Sequence, residues 1–339
     1  MQVVNTISFQ YELLDKYGNF KMWLYEVKSC SIRWQSLTQL KSDATIEMRY
    51  DEDIDYANDR VRVYVTKNGK QSVLGTFLLC STDNTEERNS KSTTCNMYSL
   101  LKVLLDTKLE QSYQVDAGTN AINEVKRLIG ANDCKIQDSE KTLLSVKTYK
   151  IGQSYLEVIN DLLDTVNYTP LYTDKMGVFT SKPYTLPQEQ EPTFDWKNDI
   201  NGLIRPQIKR SKDMFNVPNV FVAHTNDINI QPPLRAVYEN TLASSETSTV
   251  SRGRRIVKTE EVEATCIDDV VAKAKNMCHE ANSIFEHIEF EKSLDTDIDY
   301  YMPVGYVINE KFVLYNITYT CKVGSKMVIK GRKSLDLFA

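Results

Sequence analysis

The stretch from Cys30 to Phe77 constrains the fold more than any other part of the chain. Apolar and polar residues alternate through Ala44-Thr45-Ile46-Glu47-Met48-Arg49-Tyr50 and again through Arg60-Val61-Arg62-Val63-Tyr64-Val65. A period of two is that of a strand with one buried face. Asn68-Gly69 follows the second run, and Val73 to Leu79 lies beyond it. Asn-Gly between two β-rich runs predicts a tight hairpin, because both central residues must take positive φ. The expectation is antiparallel sheet, arranged as a small barrel or sandwich.

The same residues carry a resemblance. The order is Ile32 and Trp34, a leucine-bearing linker, a strand leading to Ile54-Asp55-Tyr56, then Arg60-Val61-Arg62-Val63, then Leu74-Gly75-Thr76-Phe77. It resembles the first tube domain of tail hub proteins, the central baseplate proteins of phages and related tail-like particles. A second segment adds to it. Asn219-Val220-Phe221-Val222 is followed by the short apolar run Leu234 to Tyr238 and Asn240. Then come Ser244-Ser245, Ser248-Thr249 and Arg252-Gly253-Arg254-Arg255-Ile256-Val257. The likeness is one of strand and turn residues, with no catalytic signature in it.

Residues 1–94 read as β, with a hairpin turn at Lys16-Tyr17-Gly18-Asn19. Ser81 to Thr94 holds no apolar residue and is either a loop or a strand with a long solvated edge. Tyr98 to Leu105 is a short helix or a buried strand. Asn120 to Ile129 predicts a helix stopped by Gly130. Ser154 and Glu157 form a capping box opening another, which ends near Asn167 ahead of Pro170. Leu171 to Phe179 predicts a hairpin. Pro183 to Pro192 is a linker. Met214 to Ala223 and Leu234 to Tyr238 predict strands, and Glu239 to Arg255 a polar loop with a basic end. Thr265 to His287 predicts the longest helix, with Val270, Val271, Ala274, Met277, Cys278, Ala281, Ile284 and Phe285 on one stripe. Tyr306 to Asn309, Phe312 to Thr320 and Lys326 to Lys330 predict closing strands. The word Asp53-Ile54-Asp55-Tyr56 recurs as Asp297-Ile298-Asp299-Tyr300. It is either the remnant of a duplication or a coincidence in an acidic chain.

Composition narrows the function classes. The chain of 339 residues is 41% hydrophobic and 26% charged, with net charge −5, which suits globular protein and gives no general basic face for nucleic acid. Nineteen tyrosines suit β-rich surface that packs against neighbours, or plain β composition, and leave a carbohydrate-binding receptor module as a third reading. No signal peptide is expected from Met1 to Thr6, and no run of about 18 apolar residues predicts a membrane span. The cysteines (Cys30, Cys80, Cys95, Cys134, Cys266, Cys278, Cys321) form no CxxC and read as reduced, mostly buried thiols.

Motifs for chemistry are missing. Counted as EF-hand loops, Asp51 and Asp295 place Tyr56 and Arg62, or Tyr300 and Tyr306, where Gly and Glu are needed. His279 and His287, on one helix, would stand roughly 12 Å apart, too far to share a metal. A Ser-His-Asp site would have to use His224, His279 or His287, and no GxSxG frames a serine. Gly324 and Gly331 have the wrong separation for a phosphate loop. The 46 acidic residues leave a glycosidase pair open, although wall-degrading domains usually follow the hub module and none is expected here. Arg252–Arg255 and Lys322, Lys326, Lys330, Arg332 and Lys333 lack the interleaved aromatics of a nucleic-acid groove. They read as a solvated loop or inter-subunit ion pairs. We therefore expect no catalytic, cofactor-binding or metal site.

What the resemblance implies is a β-rich α+β chain with two tube-type antiparallel β-barrels, each with an α+β elaboration. The first barrel is placed at 1–94 and its α+β partner at 95–185. The second is placed at 186–264 plus 302–339, with a helix-containing segment inserted at 265–301. The implied role is a baseplate hub: a homotrimer forming a pseudo-sixfold ring that joins tail tube to spike or tip. Other baseplate proteins are implied as neighbours, with tape-measure protein or DNA passing through the channel. The expected location is the virion or tail-like particle, assembled in the host bacterial cytoplasm without membrane insertion. Channel-facing residues are expected to be acidic or neutral, since cationic linings bind phosphate strongly. A tail-associated peptidoglycan hydrolase is the alternative.

Overall fold

The structure is a computed structural model that describes residues 6–87, 90–197, 204–212, 215–226, 232–262, 264, 266–283 and 286–333. Seven strands come first: β1 (Ile7–Leu14), β2 (Phe20–Trp23), β3 (Val27–Gln35), β4 (Ser42–Arg49), β5 (Arg60–Lys67), β6 (Lys70–Glu87) and β7 (Ser90–Tyr98). The alternation becomes burial: Ala44, Ile46 and Met48 of β4 and Val61, Val63 and Val65 of β5 all face the core. Asn68 and Gly69 close β5 onto β6 with φ of 51° and 82°, the turn the sequence predicts. Ser81 to Glu87 is no loop but the outer half of β6, paired with β7.

A second group follows: α1 (Leu101–Asp106), β8 (Tyr113–Val115), α2 (Ala121–Ile129), β9 (Cys134–Ile136), β10 (Lys147–Tyr149), α3 (Tyr155–Thr165), β11 (Tyr172–Thr173) and β12 (Phe179–Ser181). Asn120 caps α2 and Gly130 ends it. The Ser154–Glu157 box forms as expected: Ser154 Oγ accepts from the Glu157 N–H, and Glu157 accepts from the Ser154 N–H at 2.7 Å. These elements enclose their own core around Ile122, Val125, Leu156, Ile159 and Leu163.

The remainder comprises β13 (Phe194–Trp196), β14 (Ile204–Lys212), β15 (Val220–His224), β16 (Arg235–Glu239), α4 (Thr249–Arg252), β17 (Val257–Glu261), α5 (Ile267–Ser283), β18 (Glu286–Ser293), β19 (Val304–Val307), β20 (Glu310–Thr320) and β21 (Lys326–Lys333). Here the structure redraws the expected grouping. β15, β16 and β17, assigned to a second barrel, pair only with one another and pack against α5 through Phe221, Ala223, Val270, Ala274 and Met277. β18, assigned to the insertion, joins the large sheet instead. α5 ends at Ser283, so His287 lies on β18 and not on a helix with His279. Thr265, Ile284, Phe285 and Met214 lie outside the described residues.

One sheet of 13 strands joins the two ends of the chain. Its path runs β14-β18-β21-β20-β3-β4-β7-β6-β5-β1-β2, with β19 on β20 and β13 on β19. The path is open, ending at β14 and β2. The two barrels expected from the sequence are therefore not closed by strand pairing. In the first set, residues 31–35 of β3 pair with β20, and β1 pairs with β2 on its other side.

Two sets of strands within this sheet repeat one another. The first reads β3-β4-β7-β6-β5-β1 and the second β14-β18-β21-β20-β19-β13. Registers agree through the centre of each set. Ile46 opposes Cys30 and Cys95, and Phe290 opposes Ile208 and Ile329. Leu78 opposes Arg60, as Val313 opposes Val304. The bulge that skips Cys80 between β6 and β7 recurs as one that skips Tyr315 between β20 and β21. Phe77 and Leu79 thus answer to Phe312 and Leu314, all fully buried. The two Asp-Ile-Asp-Tyr words occupy equivalent loops, each three residues before its strand, which is the placement a duplication leaves. The sixth slot differs: β1 runs antiparallel to β5, whereas β13 runs parallel to β19.

β13 approaches β19 so closely that only glycine fits at 305. A Cβ there would stand 2.4 Å from the Phe194 carbonyl oxygen and 2.6 Å from its ring. Backbone cannot yield as a flexible side-chain tip would. We predict that Gly305→Ala lowers stability by about 2–3 kcal/mol, as overpacking does. Thermal unfolding checks this, with Trp196 emission shifting red as β13 lifts; an unchanged midpoint would contradict it.

Candidate assembly surface

The residues weighed for chemistry do not gather. Among the described residues no group of three or more His, Cys, Asp or Glu is placed to hold a metal ion. No described helix is long and apolar enough to cross a membrane. His224 and His287 sit on different sheets, and the His279 side chain lies outside the described residues. The Asp51–Asp55 run folds onto its own backbone: Asp51 accepts from the Asp53 N–H at 2.9 Å and Asp55 from the Ala57 N–H at 3.1 Å. Buried Asp59 beneath it accepts from Lys21 Nζ at 2.7 Å.

Arg252, Arg254, Arg255, Lys330 and Lys333 all hold partners within the chain. Arg252 donates to the Val217 carbonyl and Arg254 to the Phe215 carbonyl, with the Arg254 guanidinium 4.9 Å from the Phe215 ring centre. Arg255 pairs with Glu239 at 2.6 Å. Lys330 pairs with Glu289 and Lys333 with Glu310. Arg252 and Arg254 thus clamp the approach to β15, a role hidden from sequence because their partners are backbone carbonyls 35 or more residues away. Of the cysteines, Cys30 is buried beside Cys321; the hydrogen bond between them and burial both push its thiol well up, away from reactivity.

The loop from Leu294 to Tyr301 is where the three parts of the chain meet. Lys67 Nζ donates to the Leu294 carbonyl at 2.7 Å, Lys70 pairs with Asp297 at 3.0 Å, and Lys175 Nζ donates to the Thr296 carbonyl at 2.9 Å. Lys175 also lies 4.4 Å from the Tyr300 ring centre, and burial lowers its pKa. Tyr172 of β11 stacks on Tyr301 with centroids 3.9 Å apart. Thr76 of β6 donates to the Lys175 carbonyl at 3.0 Å. The acidic word, which fits no EF-hand loop, therefore serves as a junction.

Asp295 anchors this loop to the second strand set. It accepts from Lys292 Nζ and from the Trp196 indole N–H, both at 3.1 Å, and from the Asp297 N–H at 3.2 Å. Burial alone would raise its pKa; the Lys292 charge and these hydrogen bonds outweigh it and hold the carboxyl below the ordinary range.

What the fold leaves open is edge. Among the described residues β14 pairs on one side only, with β18, and it carries exposed Lys209, Arg210 and Lys212. The outer half of β6 pairs, among the described residues, only with β7 and carries exposed Asp83, Asn84, Thr85 and Glu86. At the other end of the path, a groove of about 790 Å³ lies between Phe20–Glu26 and Met48–Ile54. Phe20 and Tyr25 on its rim are 54% and 88% exposed. Unpaired edges of this kind are templates for another chain.

We predict that Asp295→Asn costs on the order of 2 kcal/mol, somewhat less than a fully buried pair. The sign with pH follows from the depressed pKa. The contribution is complete above about pH 4 and is lost as pH falls through the folded value. An acid titration of stability followed by Trp196 emission should show this limb in the native chain and lose it in Asp295→Asn. An identical acid limb in both would contradict the assignment.

No family model and no curated protein sequence matches the chain. Solved structures do. A tail protein from Neisseria meningitidis MC58 superposes with a TM-score of 0.68 at 12% identity, over 96% of this chain and 97% of that one. The prophage MuSo2 43 kDa tail protein from Shewanella oneidensis gives 0.64 at 9% identity, over 97% and 99%. A chain of a Francisella PdpA-VgrG complex gives 0.58 at 10%, over 98% of this chain and 59% of that one. The resemblance read in strand and turn residues is thus one of fold as well: from end to end, this chain has the fold of phage tail proteins.

Proposed function

We propose that the chain is a structural hub of a phage tail or tail-like particle. It assembles as a homotrimer whose six strand sets form a pseudo-sixfold ring between tail tube and spike or tip. The observation that carries this reading is the end-to-end likeness to tail proteins of almost the same length, combined with the two strand sets of one order and register. A sixfold tube meeting a threefold spike needs an adaptor with two near-equivalent units per chain, and heterologous contacts that close supply such rings. In this reading each set curls as a tube-type barrel. The first barrel is 1–94 with 95–185 as its α+β elaboration. The second is 186–212 plus 286–339 with 215–283 as its elaboration. Other baseplate proteins flank the ring in the virion, after assembly in the host cytoplasm. Tape-measure protein or DNA crosses its channel past acidic or neutral residues. Function here is geometry and load transfer, with no catalytic step.

Solution mass against concentration tests this. The expected result is growth toward three times the 39.0 kDa chain mass, with no clearing of purified cell wall. A strict monomer at every concentration, together with wall clearing abolished by one carboxylate substitution, would overturn the hub reading in favour of a hydrolase.

A further inference from the structure

We propose that β14 of one chain pairs with the outer half of β6, Ser81–Glu87, of a second copy, in the register that β3 and β20 use within each chain. This rests on the ring reading above and names its contact. Inside the chain, β20 gives its first half to β19 and its second half, Asn316–Thr320, to β3. β6 gives its first half to β5, and past the Cys80 bulge its second half has no strand on that edge among the described residues. β14 stands opposite β18 as β3 stands opposite β4. Its outer edge is the counterpart of the one β20 fills on β3. Each chain thus carries both halves of a contact it already makes once.

Carrying the register across gives named pairs. Ile317 opposes Trp34, Thr318 opposes Arg33, Tyr319 opposes Ile32 and Thr320 opposes Ser31. The equivalent intermolecular pairs are Thr82 with Lys212, Asp83 with Ser211, Asn84 with Arg210 and Thr85 with Lys209. Asp83 and Glu86 on one edge then lie diagonal to Lys209 and Arg210 on the other, within reach of long side chains. The cations already hold partners on their own side: Lys209 with Glu289, Arg210 with Glu286 and Glu310, Lys212 with Glu246. Glu86 likewise pairs with Lys91. The incoming strand extends these networks, and its charge is opposite to that of the edge it meets.

The substitutions between the two contacts have a physical sense. Within the chain the inward residues are Ile32, Trp34, Ile317 and Tyr319, all buried. Their counterparts are Arg210, Lys212, Thr82 and Asn84. An edge that must stay soluble until a second copy arrives is kept polar and charged. The same strand geometry is therefore built permanent once and reversible once, and the reversible version weakens with salt. Because the contact is heterologous and repeats the in-chain relation, successive copies add strand sets at a constant angle.

Asp83→Cys combined with Ser211→Cys tests the pairing, in a Cys266→Ser background because Cys266 is an exposed native thiol. Opposed residues of antiparallel strands lie within disulfide reach. Under mild oxidation at assembling concentration, the expected result is a ladder of reducible covalent oligomers, absent from either single variant. Rings in electron images without a ladder would overturn the strand pairing and leave the hub reading standing. A ladder without closed rings would support the pairing and overturn the ring. Neither ladder nor ring would overturn both. As a second measurement, Lys209→Glu with Lys212→Glu should raise the concentration needed for assembly on the order of tenfold. Adding Asp83→Lys and Glu86→Lys should restore it; no restoration would count against the pairing.

Discussion

The seam between β20 and β3 is the interaction on which the rest depends. Five residue pairs, from Asn316 with Gln35 to Thr320 with Ser31, turn the two strand sets into one sheet. Its strength is not in those hydrogen bonds, which replace bonds to water. It lies in the aromatic cluster the seam encloses. Trp34 sits 6.2 Å from Phe77 and 5.0 Å from Tyr300, and Tyr300 sits 6.1 Å from Tyr319. Tyr319 donates to the Leu74 carbonyl from inside the core. Residues from both strand sets therefore share a single core.

Everything else is hung on that seam. The Leu294–Tyr301 loop, which follows β18, carries Tyr300 into the cluster and offers carbonyls and Asp297 to Lys67, Lys70 and Lys175. Through Lys175 and Tyr172 it also fixes the helical unit of residues 101–181, whose own core is separate. The linker of residues 183–192 is not slack either: Lys311 donates to the Gln188 and Gln190 carbonyls, tying it along β20. The connections between the units are thus tied down by side-chain contacts.

Much of this was legible in sequence, and the limits have physical causes. Alternation located β4 and β5 because one face of each is buried and the other wet. Asn68-Gly69 and the Ser154–Glu157 box were legible because backbone geometry restricts which residues can stand there. The outer half of β6 was ambiguous because both its faces are solvated, so no apolar period marks it. β13 is three residues long, too short for any period. The separate sheet of β15, β16 and β17 was missed because the parallel β15–β17 pairing joins residues far apart in the chain. α5 was drawn too long because its apolar stripe runs on into β18, where Ile288 and Phe290 change period without a glycine or proline between. The repeated Asp-Ile-Asp-Tyr was visible from the start, but only the strand registers show that its two copies are equivalent.

The central claim is that one chain contributes two near-equivalent strand sets to a closed ring. Averaged electron images of the assembled protein test it most directly. The account predicts a threefold particle with six similar lobes around a central hole, adjacent lobes alternating in the elaboration they carry. A compact twofold dimer, or a ring with one lobe per chain, would contradict it.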